Sequence, residues 1–220
     1  SPYRLHESWT ATPQQGAAYI QGKLTFNQMV IKLGARMDCF SAGGENNIFS
    51  DFDQFFTQQN NDVRKDSAAT VSAEKQMALS PRIGVSFPIT DKTKFYFNYG
   101  QFRQMPQAQY LYRMQKKSFT VDRSAITGLG NPNMPMPRTN AYEIGYERIL
   151  TNEYLLQLSG YSRSVDNQVS FQAFVSDEMI YTIAMPNNYN DVRGLELTLS
   201  KVKGNWVRGF LNYTYMDFSS

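Results

Sequence analysis

One histidine, one cysteine and two tryptophans are all that 220 residues carry of these three types. With a single thiol, Cys39, neither an intrachain disulfide nor a CxxC metal site can form within the chain. Its alternate neighbours Ile31, Leu33, Ala35 and Met37 place it on an apolar face, where a thiol is inert. The only histidine, His6, sits in a stretch without sustained period and has no identifiable partner as a general base. GxSxG, HExxH and P-loop patterns are all missing. Gly128-Leu129-Gly130 starts like a phosphate loop, but Pro132, Pro135 and Pro137 break the helix that would have to follow. No enzyme activity and no cofactor or metal are therefore expected. Nor does any apolar run approach the roughly 18 to 20 residues of a transmembrane helix. Residues 1 to 17 lack the basic and apolar regions of a signal peptide, and no initiating Met is present. The chain reads as a piece of a longer precursor, so the missing signal says nothing about destination. The net charge of +3 is small and dispersed, which argues against a nucleic-acid partner.

What the sequence has is aromatics and alternation. Tyr and Phe number 14 and 15, residues that pack well on a pleated surface. Between Met77 and Ile89 every odd position is apolar, a period of two that means a strand with one greasy face. Pro81 and Pro88 lie near its ends, where a missing donor is best tolerated. After the turn at Thr90 to Thr93 the alternation resumes with Phe95, Phe97 and Tyr99. The same hairpin recurs. Ala18 to Phe26 turns at Asn27-Gln28 into Met29 to Cys39; Tyr142 to Tyr146 turns at Thr151 to Glu153 into Tyr154 to Gly160; Leu195 to Leu199 turns at Lys203-Gly204-Asn205 into Val207 to Tyr215.

Eight strands of roughly ten residues follow, with short connections of about two to four residues alternating strictly with long ones. At about 3.3 Å per residue and a tilt of about 45° such strands rise roughly 23 Å, close to the apolar band of an outer-membrane barrel. A soluble sandwich has no reason to gather its short turns at one end, whereas outer-membrane barrels do so. The mean hydropathy of −0.48 is compatible, because only alternate residues face lipid. Aromatics at the strand ends, Phe26, Phe87, Tyr154 and Trp206 near the short turns and Phe40, Phe102, Tyr215 and Phe218 near the other rim, read as girdles at the two interfaces. The expected fold is all-β, a transmembrane antiparallel β-barrel segment whose whole length, 1–220, belongs to one barrel domain.

Several pieces resemble the TonB-dependent outer-membrane receptors. They are Tyr19-Ile20-Gln21-Gly22-Lys23-Leu24, Leu33-Gly34-Ala35-Arg36-Met37-Asp38, Leu79-Ser80-Pro81-Arg82-Ile83-Gly84 and Phe97-Asn98-Tyr99-Gly100. Asn131-Pro132-Asn133 with Ala141-Tyr142-Glu143-Ile144-Gly145, Asp191-Val192-Arg193-Gly194-Leu195-Glu196 and Leu211-Asn212-Tyr213-Thr214-Tyr215 complete the set. Gly22 stands where such receptors often have Asp, and Met37 where they often have an aromatic. The resemblance implies a barrel of about twenty-two strands, of which this chain supplies roughly a third. It also implies a Gram-negative-type outer membrane, lipid around the barrel, energy from the TonB complex, and active import of a scarce or bulky ligand. Neither a plug domain nor a TonB box is found in this chain. A non-transporting barrel with a structural or adhesive role is the alternative.

The long connections differ in charge. Ser41 to Gln76 carries six acids and three bases, Gln104 to Arg138 one acid and five bases, and Ser164 to Asn190 three acids and no base. The middle one holds four of the nine prolines and is expected to be loop. Arg103, Tyr110, Tyr112, Arg113, Lys116, Lys117 and Arg123 are the candidates there for contacting an anionic or glycan ligand. In the last, Gln168 to Ala173 and Met179 to Ala184 are strand-like and extend the hairpins beyond the main sheet.

Overall fold

The computed structural model describes residues 10–47, 70–120, 123–176, 179–204 and 206–220; His6, the run from Gln58 to Asp62, Asp177 and the turn residue Asn205 lie outside them. All eight expected strands are present. They are β1 (Gln14–Phe26), β2 (Met29–Ser41), β5 (Lys75–Thr90), β6 (Thr93–Arg103), β9 (Arg138–Ile149), β10 (Tyr154–Ser176), β11 (Met179–Lys201) and β12 (Gly209–Ser219). Each pairs antiparallel with the next in this order. Among the described residues β1 and β12 have no second neighbour, so the sheet is open.

Register turns the sequence alternation into two unlike surfaces. One row across all eight strands reads Leu24, Ile31, Val85, Phe97, Ile144, Gly160, Leu195, Tyr215. The adjacent row, on the other face, reads Lys23, Lys32, Gly84, Asn98, Glu143, Tyr161, Gly194, Met216. The first face is convex and exposes its large apolar side chains, Leu24 at 61% and Ile144 at 59% among them. A soluble protein does not leave so continuous an apolar surface uncovered. The second face is concave and polar.

The apolar belt is not level in register. On β1, β2 and β5 it reaches the row Gly16, Cys39 and Met77, which are cross-strand partners. On β10, β11 and β12 it stops four outward-facing rows lower, at Gly160, Leu195 and Tyr215, and the next outward row is Ser162, Arg193 and Asp217. Tilted strands require this, because a horizontal bilayer cuts successive strands at successively shifted positions.

The short connections fall at one end. Asn27 and Gln28 both have positive φ, 44° and 66°, the geometry of a two-residue turn whose twist matches its strands. Thr151 to Glu153 and the Asp91-Lys92 turn share that end, and Lys201 reaches Glu153 at 3.5 Å. Trp206, 96% exposed, stands beside them as expected of an interfacial aromatic. The other girdle is corrected. Phe40 is buried, Phe102 and Phe218 lie on the concave face by strand parity, and of the four residues expected there only Tyr215 faces outward, in the outward row next to that of Tyr142 and Tyr99.

The long connections are more ordered than expected. Within the described residues the first contains a small two-stranded sheet, β3 (Glu45–Asn47) with β4 (Thr70–Ser72). The second, expected to be loop, contains α1 (Ala108–Tyr112), β7 (Met114–Thr120) and β8 (Arg123–Leu129). Its prolines lie at positions 106, 132, 135 and 137, so all three elements fit in the proline-free window between them. The third is absorbed almost entirely into β10 and β11, which stay paired to Ser176 and Met179. Register shifts between Val165 and Ser170 accommodate Asn167, at φ 59°, and leave Pro186 between ladder pairs, where its missing N–H costs no bond. β8 joins the upper part of β11 in parallel at Thr182 and Ile183.

Candidate functional site

The concave face is built of cross-strand polar contacts. Lys94 Nζ lies 2.6 Å from Glu147, and Gln157 donates to the same carboxylate at 3.4 Å. Tyr96 donates its O–H to Glu143 Oε1 at 3.0 Å, and Asn98 donates Nδ2–H to Oε2 at 3.3 Å. The Tyr96 ring lies flat across Gly145, its register partner, and a β-carbon there would sit 2.1 Å from Cζ. The Tyr161 ring covers Gly194 in the same way. Aromatics laid on glycines keep the wall thin and smooth.

A hollow of about 980 Å³ occupies this face. Gly34, Gly84, Gly100 and Ala141 meet at its floor because register sets Arg82 between Gly34 and Gly100, and Gly84 between Lys32 and Asn98. Each long side chain therefore stands beside a neighbour that has none. Lys23, Lys32, Arg82 and Arg163 border the hollow, and none forms an ion pair with the described residues. The Arg82 guanidinium rests 4.6 Å from the Phe102 ring centre and that of Arg163 5.4 Å from Tyr161. Both Glu143 oxygens are already engaged. Four cations on a concave wall, with Glu196 as the other bordering carboxylate, attract anions.

At the end away from the short turns, segment 104–138 folds onto this face as a cap. Leu111, Met134 and Met136 pack with Phe40, Ala42 and Ala184 in the main buried cluster. Polar clasps fix it. Gln76 on β5 donates Nε2–H to the Met134 carbonyl at 2.7 Å and accepts the Met136 N–H at 3.1 Å. Asn133 accepts the Glu74 N–H at 2.9 Å, while Asn131 turns the chain by accepting the Asn133 N–H at 2.9 Å. The Asn131-Pro132-Asn133 motif is thus a structural clip.

The candidate ligand residues divide between two places. Tyr112 donates its O–H to the Ala42 carbonyl, and burial pushes its phenol pKa up. Tyr110 lies 5.7 Å from the Phe171 ring and the Arg113 guanidinium 5.0 Å from the same ring, so Phe171 brings these two together. Arg103 ends β6 and donates to the Met136 carbonyl at 3.4 Å. Lys116 and Lys117 lie on β7 and Arg123 on β8, in the hairpin beyond the clasps. The sequence reading missed Gln76 as a clasp and Arg82 and Arg163 as wall cations. Alternation does put all three on the polar face, but which polar-face residues border one hollow depends on register. Among the described residues no group of His, Cys, Asp or Glu is placed to hold a metal, and no helix is long and apolar enough to cross a membrane, which says nothing of strands.

The family model for the β-barrel of TonB-dependent receptor-like proteins matches residues 4–220. Comparison with curated protein sequences finds no match. Solved structures do resemble it. The hemophore receptor HasR of Serratia marcescens, solved with its hemophore HasA and heme, superposes with a TM-score of 0.66 at 17% identity over 93% of this chain and 34% of that one. The ferric enterobactin receptor PfeA of Pseudomonas aeruginosa gives 0.58 at 14% identity over 94% of this chain and 36% of that one. The copper transporter OprC gives 0.57 at 15% identity, with 93% and 29% covered. The chain spans about a third of the length of these structures.

Proposed function

The chain belongs to the TonB-dependent receptor β-barrel family, and from that premise we propose that the intact protein is an active importer in the outer membrane of a Gram-negative-type bacterium. Its ligand is too scarce or too bulky for a passive pore, and the TonB complex supplies the energy through parts of the protein outside this chain. The observation that carries this reading is the pairing of an unbroken apolar convex belt with a cation-bordered concave wall. Such a sheet, closed by further strands, has a lipid-compatible outside and a wet inside that takes anionic groups. The structures it resembles are a hemophore receptor solved with heme, a ferric enterobactin receptor solved with enterobactin and a copper transporter, which makes a metal-bearing cargo the class to test first. Tyr110, Tyr112 and Arg113 within the cap, with Arg103 at the end of β6, hold the scaffold, and Lys116, Lys117 and Arg123 on the β7–β8 hairpin meet the ligand.

The test is uptake by cells carrying the full-length protein as their sole receptor, using labelled heme, a ferric catecholate and a copper chelate. Import of one of them should stop when the proton gradient is collapsed or TonB is removed. A protein that fractionates away from the outer membrane, or uptake indifferent to TonB, would defeat the proposal.

A further inference from the structure

Methionines on the convex belt, such as Met37 and Met77, are exposed. Met134 and Met136 in the cap are the opposite. Met134 is the largest fully buried side chain among the described residues, and Met136 is only 6% exposed. With Phe40 and Leu111 they are the large members of the buried cluster, Ala42 and Ala184 being the small ones. The segment that carries them has few other ties. Residues 130–137 lie in no strand, and Pro132, Pro135 and Pro137 have no N–H to donate. Gln76 grips the backbone on either side of Pro135, at the Met134 carbonyl and the Met136 N–H. The two thioethers are therefore a principal apolar hold of the cap on the wall. Met105, in the same cap segment, is 40% exposed.

We propose that Met134 and Met136 are a sulfoxidation site through which a peroxide releases the cap. The proposal goes beyond the import reading and needs only the cap's seat on the concave face. In the step itself, one oxygen of hydrogen peroxide passes to the thioether Sδ as the O–O bond breaks. The sulfur loses two electrons, and the other oxygen leaves as water. A sulfoxide is polar where the thioether was apolar, and its oxygen is an acceptor. The side chains packed in this cluster are apolar apart from the Tyr110 and Tyr112 hydroxyls, and that of Tyr112 is already donated to the Ala42 carbonyl. A buried acceptor without a donor is costly, and water relieves it once the segment leaves the cluster. A segment tied by so few bonds opens locally without the sheet unfolding. Oxidant reaches the two sulfurs during such openings, and the product cannot repack, so oxidation traps the open cap. Reduction by methionine sulfoxide reductases restores the thioether and lets it close.

Full-length protein in mild detergent, treated with hydrogen peroxide, tests this by peptide mass spectrometry and by the rate of protease cleavage between residues 104 and 138. Exposed Met105 should be oxidised first, with cleavage unchanged. As Met134 and Met136 follow, cleavage should accelerate about tenfold or more, because nicking tracks the population of the opened segment. Methionine sulfoxide reductases should then return it to the starting rate. Met134→Leu combined with Met136→Leu conserves volume and apolar surface, so this double variant should seat its cap and keep slow cleavage in peroxide. It retains Cys39 and every other methionine, so oxidation elsewhere cancels in the comparison. Equal acceleration in the double variant, or slow cleavage of wild type once Met134 and Met136 carry oxygen, overturns the proposal. So does their escape from oxidation after Met105 has fully reacted. Should the double substitution itself loosen the cap, wild type decides alone, since a fast rate that the reductases do not reverse overturns the proposal.

Discussion

Lys32 and Leu33 are consecutive in sequence and belong to opposite surfaces. Lys32 borders the concave hollow, whereas Leu33 lies mid-belt on β2, between Met29 and Met37. Leu33→Arg therefore places a charge near the bilayer midplane and should cost about 2 to 4 kcal/mol. Lys32→Gln exchanges one wet polar group for another and should change stability within about 0.5 kcal/mol. Reversible unfolding of the full-length protein in lipid or detergent measures both, and comparable losses would mean that the faces are misassigned. Gly145 supplies a second contrast. A methyl there meets the Tyr96 ring at 2.1 to 2.4 Å, while one at Gly209 meets nothing within 4 Å. Gly145→Ala should destabilise by about 1 to 3 kcal/mol, as overpacking does, and displace the Tyr96 hydroxyl from Glu143. Gly209→Ala is the neutral control, and equal unfolding midpoints for the two would refute the ring-on-glycine packing.

At the scale of elements, the eight strands were legible because each keeps period two although few of their residues, such as Phe40 and Ala184, are buried. Lipid on one side and a wet wall on the other enforce alternation as strictly as a core does. Residues 104–138 were not legible in the same way. Four prolines and a mixed composition suggested an unstructured loop, yet the segment's order comes from Gln76 and Phe40, more than 25 residues upstream, which no local pattern in 104–138 reveals. Likewise the contacts of Tyr110 with Phe171 and of Tyr112 with Ala42 join residues remote in sequence, which alternation does not reveal. The cap's attachment is testable. Gln76→Ala removes a donor and an acceptor that both serve cap backbone, at about 1 kcal/mol each. Protease cleavage between residues 104 and 138 should then accelerate roughly tenfold or more in the folded full-length protein, since nicking tracks the population of the opened segment. Unchanged cleavage would show that Leu111, Met134 and Met136 hold the cap without the clasp.

For the whole molecule, short turns at one end and the cap at the other make a claim about sidedness. Single cysteines at Asp91, Asn152 and Gly204, in a full-length protein with Cys39 replaced, should resist an impermeant thiol reagent applied to intact cells. One at Lys117 should react, as should those at Asn60 and Asp177, which lie outside the described residues. Equal labelling of both groups would sink the topology.

The sloping upper edge of the belt implies more than tilt. It drops by eight residues along the strands over the seven steps from β1 to β12, roughly 26 Å in about 33 Å, a lean of about 40°. Face alternation alone cannot detect an insertion error in which a hairpin slips by two residues, because every side chain then keeps its side. The bilayer can detect it. Such a slip raises or lowers one strand's apolar stretch by about 6 Å, pulling Arg193 into hydrocarbon at one limit or lifting Leu195 into water at the other. Depth mismatch carries a cost for each ångström, added to the penalty of the misplaced charge. The thickness of the membrane thus acts as a proofreading gauge for strand register, reading an error to which the protein's own two-faced pattern is blind.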